Sequence, residues 1–197
     1  WLLTHKAAIT IVIGGLVLDA LARNFATINS QYYRLIQIPE FCFGFIAAAT
    51  SLFGVFLPSL FKTLVQKFTP LTNMIFAGVG VLGSLVALSF AWPLWGAIPA
   101  ATTLASLGFT GFLMSRYLNE ITESQQRATV LSVKGLIFNM GYGGASLLFA
   151  SLVLAGENTT EPFEYALSIQ PWIFAVAFVI FVIAAKAIGF HKAYAKS

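Results

Sequence analysis

Asp19 and Arg23 interrupt an apolar stretch that begins at Ala7. At about 1.5 Å of rise per residue, Asp19 stands roughly 19 Å along a helix started there. An ionisable group that deep in a membrane helix is costly and faces a cavity or a partner. Arg23 follows one helical turn later, so the two can pair on one face. Thr27, Ser30 and Arg34 extend that face and Gln31 flanks it, while Ile9, Ile13, Leu16 and Ala20 lie opposite. The chemistry on offer is a carboxylate that can titrate, a guanidinium that can fix its charge or hold an anionic group, and hydroxyls beside them. Together they fit a substrate or ion pathway. Alternatively, Arg23 snorkels to the outer headgroups and Asp19 is only its structural partner.

Two further polar stripes join this candidate pathway. Thr103, Ser106 and Thr110 recur at helical spacing, with Thr102 adjacent. Their hydroxyls can line a polar path or bond back to their own helix carbonyls. Asn139, Tyr142 and Ser146 share one face of a later segment. A buried Asn needs partners, so this stripe faces protein or a cavity, not lipid.

Other chemistry finds no support. His5 and His191 are far apart and form no metal motif or nucleophile–base pair. Gly144-Ala145-Ser146-Leu147 lacks the closing Gly of an intramembrane protease serine loop, and no His lies within a span to act as base. The lone Cys42 sits in an apolar run as a small hydrophobe. There is no P-loop and no cofactor motif. An enzyme, a bound metal, a cofactor and a nucleic-acid partner are therefore not expected. Asn158-Thr159-Thr160 matches a short glycosylation pattern, which carries meaning only in a eukaryotic protein.

The elements that must position these residues are set by composition. The chain has 197 residues, 58% hydrophobic and 9% charged, against about 25% charged in an average soluble domain. Mean hydropathy is +0.85. So few charges cannot cover a soluble surface. One Cys, 16 Gly and 7 Pro among 19 Phe exclude disorder, a collagen-like repeat and a disulfide scaffold. An all-α polytopic membrane protein remains. No secretory signal pattern precedes the first span, and a start at Trp1 suits a chain that begins within a longer protein.

A spanning helix needs about 20 apolar residues. Phe41 to Phe61, Gly135 to Gly156 and Tyr165 to Ala185 each supply one, and Trp92-Pro93 divides the long run from Phe68 to Ser115 into two. With the first, spans are expected near 7–33, 40–66, 70–91, 94–117, 130–156 and 166–188. The first should run on past the membrane, because its polar face persists to Arg34. Small residues on the second (Gly44, Ala48, Ser51, Gly54) and third (Gly78, Gly80, Gly83) would let backbones approach. Lys6, Lys62, Lys67, Arg116, Arg127, Lys134, Lys186, Lys192 and Lys196 all fall on one side of this topology, and only Arg34 on the other. By the positive-inside rule both termini are cytoplasmic, in the cell membrane. Within the loop 116–134, Arg116 with Glu120 and Glu123 with Arg127 are each four apart, which predicts a short amphipathic helical stretch on the cytoplasmic face.

Arg116-Tyr117-Leu118-Asn119-Glu120 followed by Gln126-Arg127-Ala128-Thr129-Val130-Leu131-Ser132 resembles the join between the tenth and eleventh helices of major facilitator superfamily transporters. The first span, with Asp19, Arg23 and Ser30-Gln31-Tyr32-Tyr33, looks like the start of the C-terminal half of such a protein. The loop between the second and third spans departs from the family pattern. It reads Pro58-Ser59-Leu60-Phe61-Lys62 through Lys67, without the Asp and Arg of the usual motif.

The resemblance implies two inverted three-helix repeats, about 1–91 and 92–197, forming half of a twelve-helix transporter. It also places Arg116, Asn119 and Arg127 in a cytoplasmic loop of the family's kind. The expected function is secondary active transport of a small solute by alternating access, export slightly favoured. The expected partners are an N-terminal six-helix half or a second copy, the lipid bilayer, a small-molecule substrate and protons. The faces bearing Asp19, Thr103 and Asn139 should then be open toward the other half. A non-transporting membrane scaffold or accessory subunit is the alternative.

Overall fold

The computed structural model describes residues 5–190 and Tyr194, without the side chain of Phe53. Trp1, His191, Lys192 and Lys196 lie outside the described residues. The described residues form six long helices: α1 (Lys6–Leu35), α2 (Phe43–Lys67), α3 (Pro70–Leu88), α4 (Ala97–Ile121), α5 (Arg127–Ala155) and α6 (Pro162–Ala187). A 3-10 turn, Glu40–Cys42, leads into α2. All six are long and apolar enough to cross a membrane. α1, with 30 residues, is about 45 Å long, well beyond the roughly 30 Å of a hydrocarbon core.

Local chemistry sets the helix ends. α1 stops where Gln37 turns left-handed at φ 63°, just before Pro39. Thr69 caps α3 by accepting from the Thr72 amide at 3.3 Å, and Pro70 occupies the first turn, where a missing N–H costs nothing. Pro162 opens α6 in the same way. Between α3 and α4, Ala91 (φ 45°) and Leu94 (φ 60°) reverse the chain. The Leu94 amide then donates to Ile36 O at 2.9 Å, tying that turn to the end of α1. Gly96 lies beneath Tyr32, and a Cβ there would stand 2.6 Å from the Tyr32 hydroxyl oxygen.

α1 is the central helix and packs on α3, α4, α5 and α6. Its Ile11, Leu18, Ala22 and Phe25 are fully buried. Small residues seat large ones at these contacts. Gly14 receives the Phe181 ring, Gly15 receives Met114 and Phe138, Gly78 receives Phe178, and Gly141 receives Leu16. α2 is different. It lies against α4 and touches α3 lightly, and Phe45, Leu52, Val55, Phe56 and Leu60 are exposed.

Two expectations need correction. Gly78 and Gly80 do face other helices, but Gly44, Gly54 and Gly83 have nothing within 4 Å of a would-be Cβ. The small stripe of α2 therefore packs on no helix of this chain. The helical stretch expected within 116–134 is present as the end of α4 and the start of α5, but the expected Glu123–Arg127 pairing does not form. α4 continues to Ile121 and α5 begins at Arg127, leaving only a short turn between them. Arg116 and Glu120 do pair at 2.8 Å, as the last turn of α4. Arg127 ignores Glu123 and donates to Asn119 O at 3.1 Å and Thr122 O at 3.3 Å. Terminal helix carbonyls have no intrahelical donor and compete well for a cation.

Gly78→Leu should drive Cβ into the Phe178 ring and cost about 1–3 kcal/mol, with α3 displaced from α6. Gly83→Leu, built into open space, should leave the thermal unfolding midpoint of the detergent-purified protein almost unchanged. Equal midpoints for the two variants would contradict the packing described.

Candidate functional site

Asp19 lies in the middle of α1 and is almost fully buried, with 3% of its side chain exposed. Arg23, one turn on, covers it. Arg23 Nη2 donates to Asp19 Oδ1 at 2.8 Å, and Nε stands 2.8 Å from Oδ2. Only the Nη2–Oδ1 contact is a hydrogen bond, and the buried Oδ2, close to Nε, receives none. Arg23 is itself 36% exposed, so one edge of the pair is sealed by the bundle and the other opens outward.

α5 supplies the second wall. Arg23 Nη1 donates to Asn139 Oδ1 at 3.3 Å. Thr27 and Tyr142 share a hydroxyl–hydroxyl bond at 3.2 Å, and the Ser146 hydroxyl donates to Asn24 Oδ1 at 3.0 Å. Asn139 and Thr27 are exposed and Tyr142 is half-buried. Ser30 and Gln31 continue the open face, and Gln31 also lines a surface recess with Arg34 and Glu161. Arg34 pairs with Glu40 at 2.8 Å.

The fourth-helix stripe does not join this face. Thr103 and Thr110 are fully buried. Their hydroxyls donate to Pro99 O at 2.8 Å and Ser106 O at 2.9 Å, within α4 itself. Ser106 faces Gly80 of α3. Hydroxyl spacing alone cannot tell a lining from a back-bonded helix, and here the carbonyl acceptors were nearest. Thr102 is the exposed member, in an apolar cleft of about 710 Å³ between α2 and α4. Thus Asp19, Arg23, Thr27, Asn139 and Tyr142 come together, and Thr103, Ser106 and Thr110 do not.

Comparison of the chain with protein-family models, with curated proteins and with solved structures gives no match. The site must be interpreted from its own geometry.

Two residues of the site escaped the sequence reading. Lys134, counted there among the loop cations, lies two turns inside α5 with Nζ 5.4 Å from the centre of the Phe138 ring. Phe138 in turn packs on Gly15 of α1, one turn before Asp19. The seven-residue distance of Lys134 from Arg127 was the available signal. Asn24, buried beside Arg23, uses its oxygen on Ser146, while its Nδ2 has no hydrogen-bond partner. Among the described residues no group of three His, Cys, Asp or Glu is placed to hold a metal.

The end of the bundle near Arg116 carries a second polar group. Arg116 pairs with Glu120, and the Tyr194 hydroxyl donates to the same carboxylate. Burial, reinforced by that bond, pushes the Tyr194 hydroxyl above the usual phenol range. Asn73 Nδ2 donates to the Tyr117 hydroxyl at 2.9 Å, joining α3 to α4.

Removing either partner of the Asp19–Arg23 pair should be unequal in cost. Arg23→Ala strands a buried carboxylate and should cost about 3 kcal/mol or more. Asp19→Ala frees a guanidinium that can swing to the open edge, and should cost less. A double-mutant cycle read by thermal unfolding checks this. The ordering fails if the Asp19 variant is the less stable of the two.

Proposed function

We propose that this chain is the C-terminal six-helix half of a major facilitator superfamily transporter. In this reading it lies in the cell membrane with both termini cytoplasmic. It carries out secondary active transport of a small solute by alternating access, with export favoured, and is not an enzyme. The observation that carries the proposal is the open polar face of α1 and α5, built around a buried carboxylate–guanidinium pair. Lone ionisable groups at such a depth are expensive and mark pathways in membrane proteins.

Packing supports the inverted-repeat part of the reading. α1 packs on α5 and α6, and α4 correspondingly packs on α2 and α3. Exchanging α1 with α4, α2 with α5 and α3 with α6 thus preserves these neighbours, as expected for two related three-helix units. The unpartnered small-residue stripe of α2 and the exposed Leu136, Met140 and Leu147 of α5 suit an N-terminal half, or a second copy, against these helices.

In the mechanism, Asp19 is the proton-sensitive acid and Arg23 sets its charge. Protonation of Asp19 would release Arg23 from its pair and leave it held by Asn139 alone. Charge on the open face would then change as the solute binds or leaves. One observation favours a scaffold instead: Arg23 also bridges α1 to α5 through Asn139, which is what a structural strut would do.

Asp19→Asn separates the two. The amide keeps the shape and an acceptor for Arg23, so folding and insertion should persist. Reconstituted full-length protein should lose solute-driven proton movement, read by a pH-sensitive dye inside proteoliposomes across a panel of small solutes. Flux with unchanged pH dependence in the variant would favour the scaffold. Failed insertion would assign the pair to holding the helix together.

A further inference from the structure

The charges at the α1–α5 face do not balance. The chain has seven Asp and Glu residues, and only Asp19 lies at this face. Glu40 pairs with Arg34, and Glu120 with Arg116. Glu123 lies in the turn after α4, and Glu157, Glu161 and Glu164 lie around the α5–α6 connection. Two cations, Arg23 and Lys134, therefore share one carboxylate. Asp19 is committed to Arg23 by two contacts at 2.8 Å. Lys134 has the Phe138 ring but no carboxylate of its own. Phe138 in turn packs on Gly15, one turn before Asp19, so the lysine stands beside the pair and not at a remote helix end.

An excess positive charge on a half-buried face between helices is costly unless a counter-charge meets it. The surrounding groups offer donors. Arg23 presents an open edge, and Asn139, whose oxygen is taken by Arg23, keeps its Nδ2 free to donate.

We propose that this face binds a small organic monoanion, its carboxylate, sulfonate or singly charged phosphonate group on Lys134 and the open edge of Arg23. This rests on the transporter reading above and names the substrate class of the same site. One net charge selects a monoanion over a dianion or a cation. Lysine suits the task because an ammonium accepts any anion geometry, whereas the guanidinium is already matched to Asp19.

The test uses the full-length protein in nanodiscs at fixed ionic strength. Thermal stabilisation is measured with benzoate, benzenesulfonate and phenylphosphonate at pH 6, against benzamide and benzylammonium. At least one anion should stabilise saturably, and the neutral and cationic compounds should not. Lys134→Gln should weaken that anion at least tenfold, and Lys134→Arg should retain it. If no anion binds, the counter-charge comes from the protein itself and the proposal falls. It also falls if an anion binds Lys134→Gln as tightly as the unaltered protein. The comparison of benzoate with benzamide needs no variant and stands even if Lys134→Gln fails to fold. Counterflow in proteoliposomes separates this from the transport reading. An anion that binds but is not carried refutes transport and keeps the site. A neutral or cationic solute carried without any anion binding refutes the site and keeps transport.

Discussion

A carboxylate and a guanidinium one helical turn apart hold the charged centre of this bundle. Burying Asp19 alone would cost more than any single apolar contact returns. The pair is tolerable because Arg23 meets both carboxylate oxygens and still reaches an exposed edge. That requirement fixes the place of α1. One side must bury Asp19 among α1's neighbours, and the other must leave Arg23 an outlet. α5 satisfies the second condition by presenting Asn139 and Tyr142 instead of bulky hydrophobes.

Close helix approach depends on the same arrangement. α1 meets α4, α5 and α6 through Gly14, Gly15 and the Leu16–Gly141 contact. Each is a place where a side chain from one helix enters the space of a missing one on another. These contacts are specific, because a single added methyl group would collide with an aromatic ring, a thioether or a leucine side chain. α2 has comparable small residues and no such insertions. The result is a tight core around α1 with α2 at its margin, lying along α4.

The two ends of the bundle are secured differently. At one end Arg127 satisfies carbonyls at the close of α4, and Arg116, Glu120 and Tyr194 form a polar cluster. At the other, backbone bonding joins Leu94 to Ile36 and Tyr32 rests over Gly96. Between the secured ends the α1–α5 face remains polar and open. An open polar stripe within an apolar bundle is where charge and hydrogen-bond donors can meet a solute.

The number of helices and their approximate limits followed from the sequence because apolar runs of spanning length are interrupted only by charges, Pro and short polar turns. The Asp19–Arg23 pairing was legible for a similar reason, since a four-residue spacing on a helix brings two side chains together whatever surrounds them. Tertiary structure decided what depends on neighbours. Thr103, Thr110 and Thr27 all bond back to their own helix, yet Thr103 and Thr110 are buried while Thr27 is exposed and also meets Tyr142 across the α1–α5 face. Lys134 resembles a loop cation until α5 is seen to begin at Arg127. Arg127 chose carbonyls of α4 over Glu123. Periodicity reports which residues share a face of one helix, but only the packing of several helices determines what that face meets.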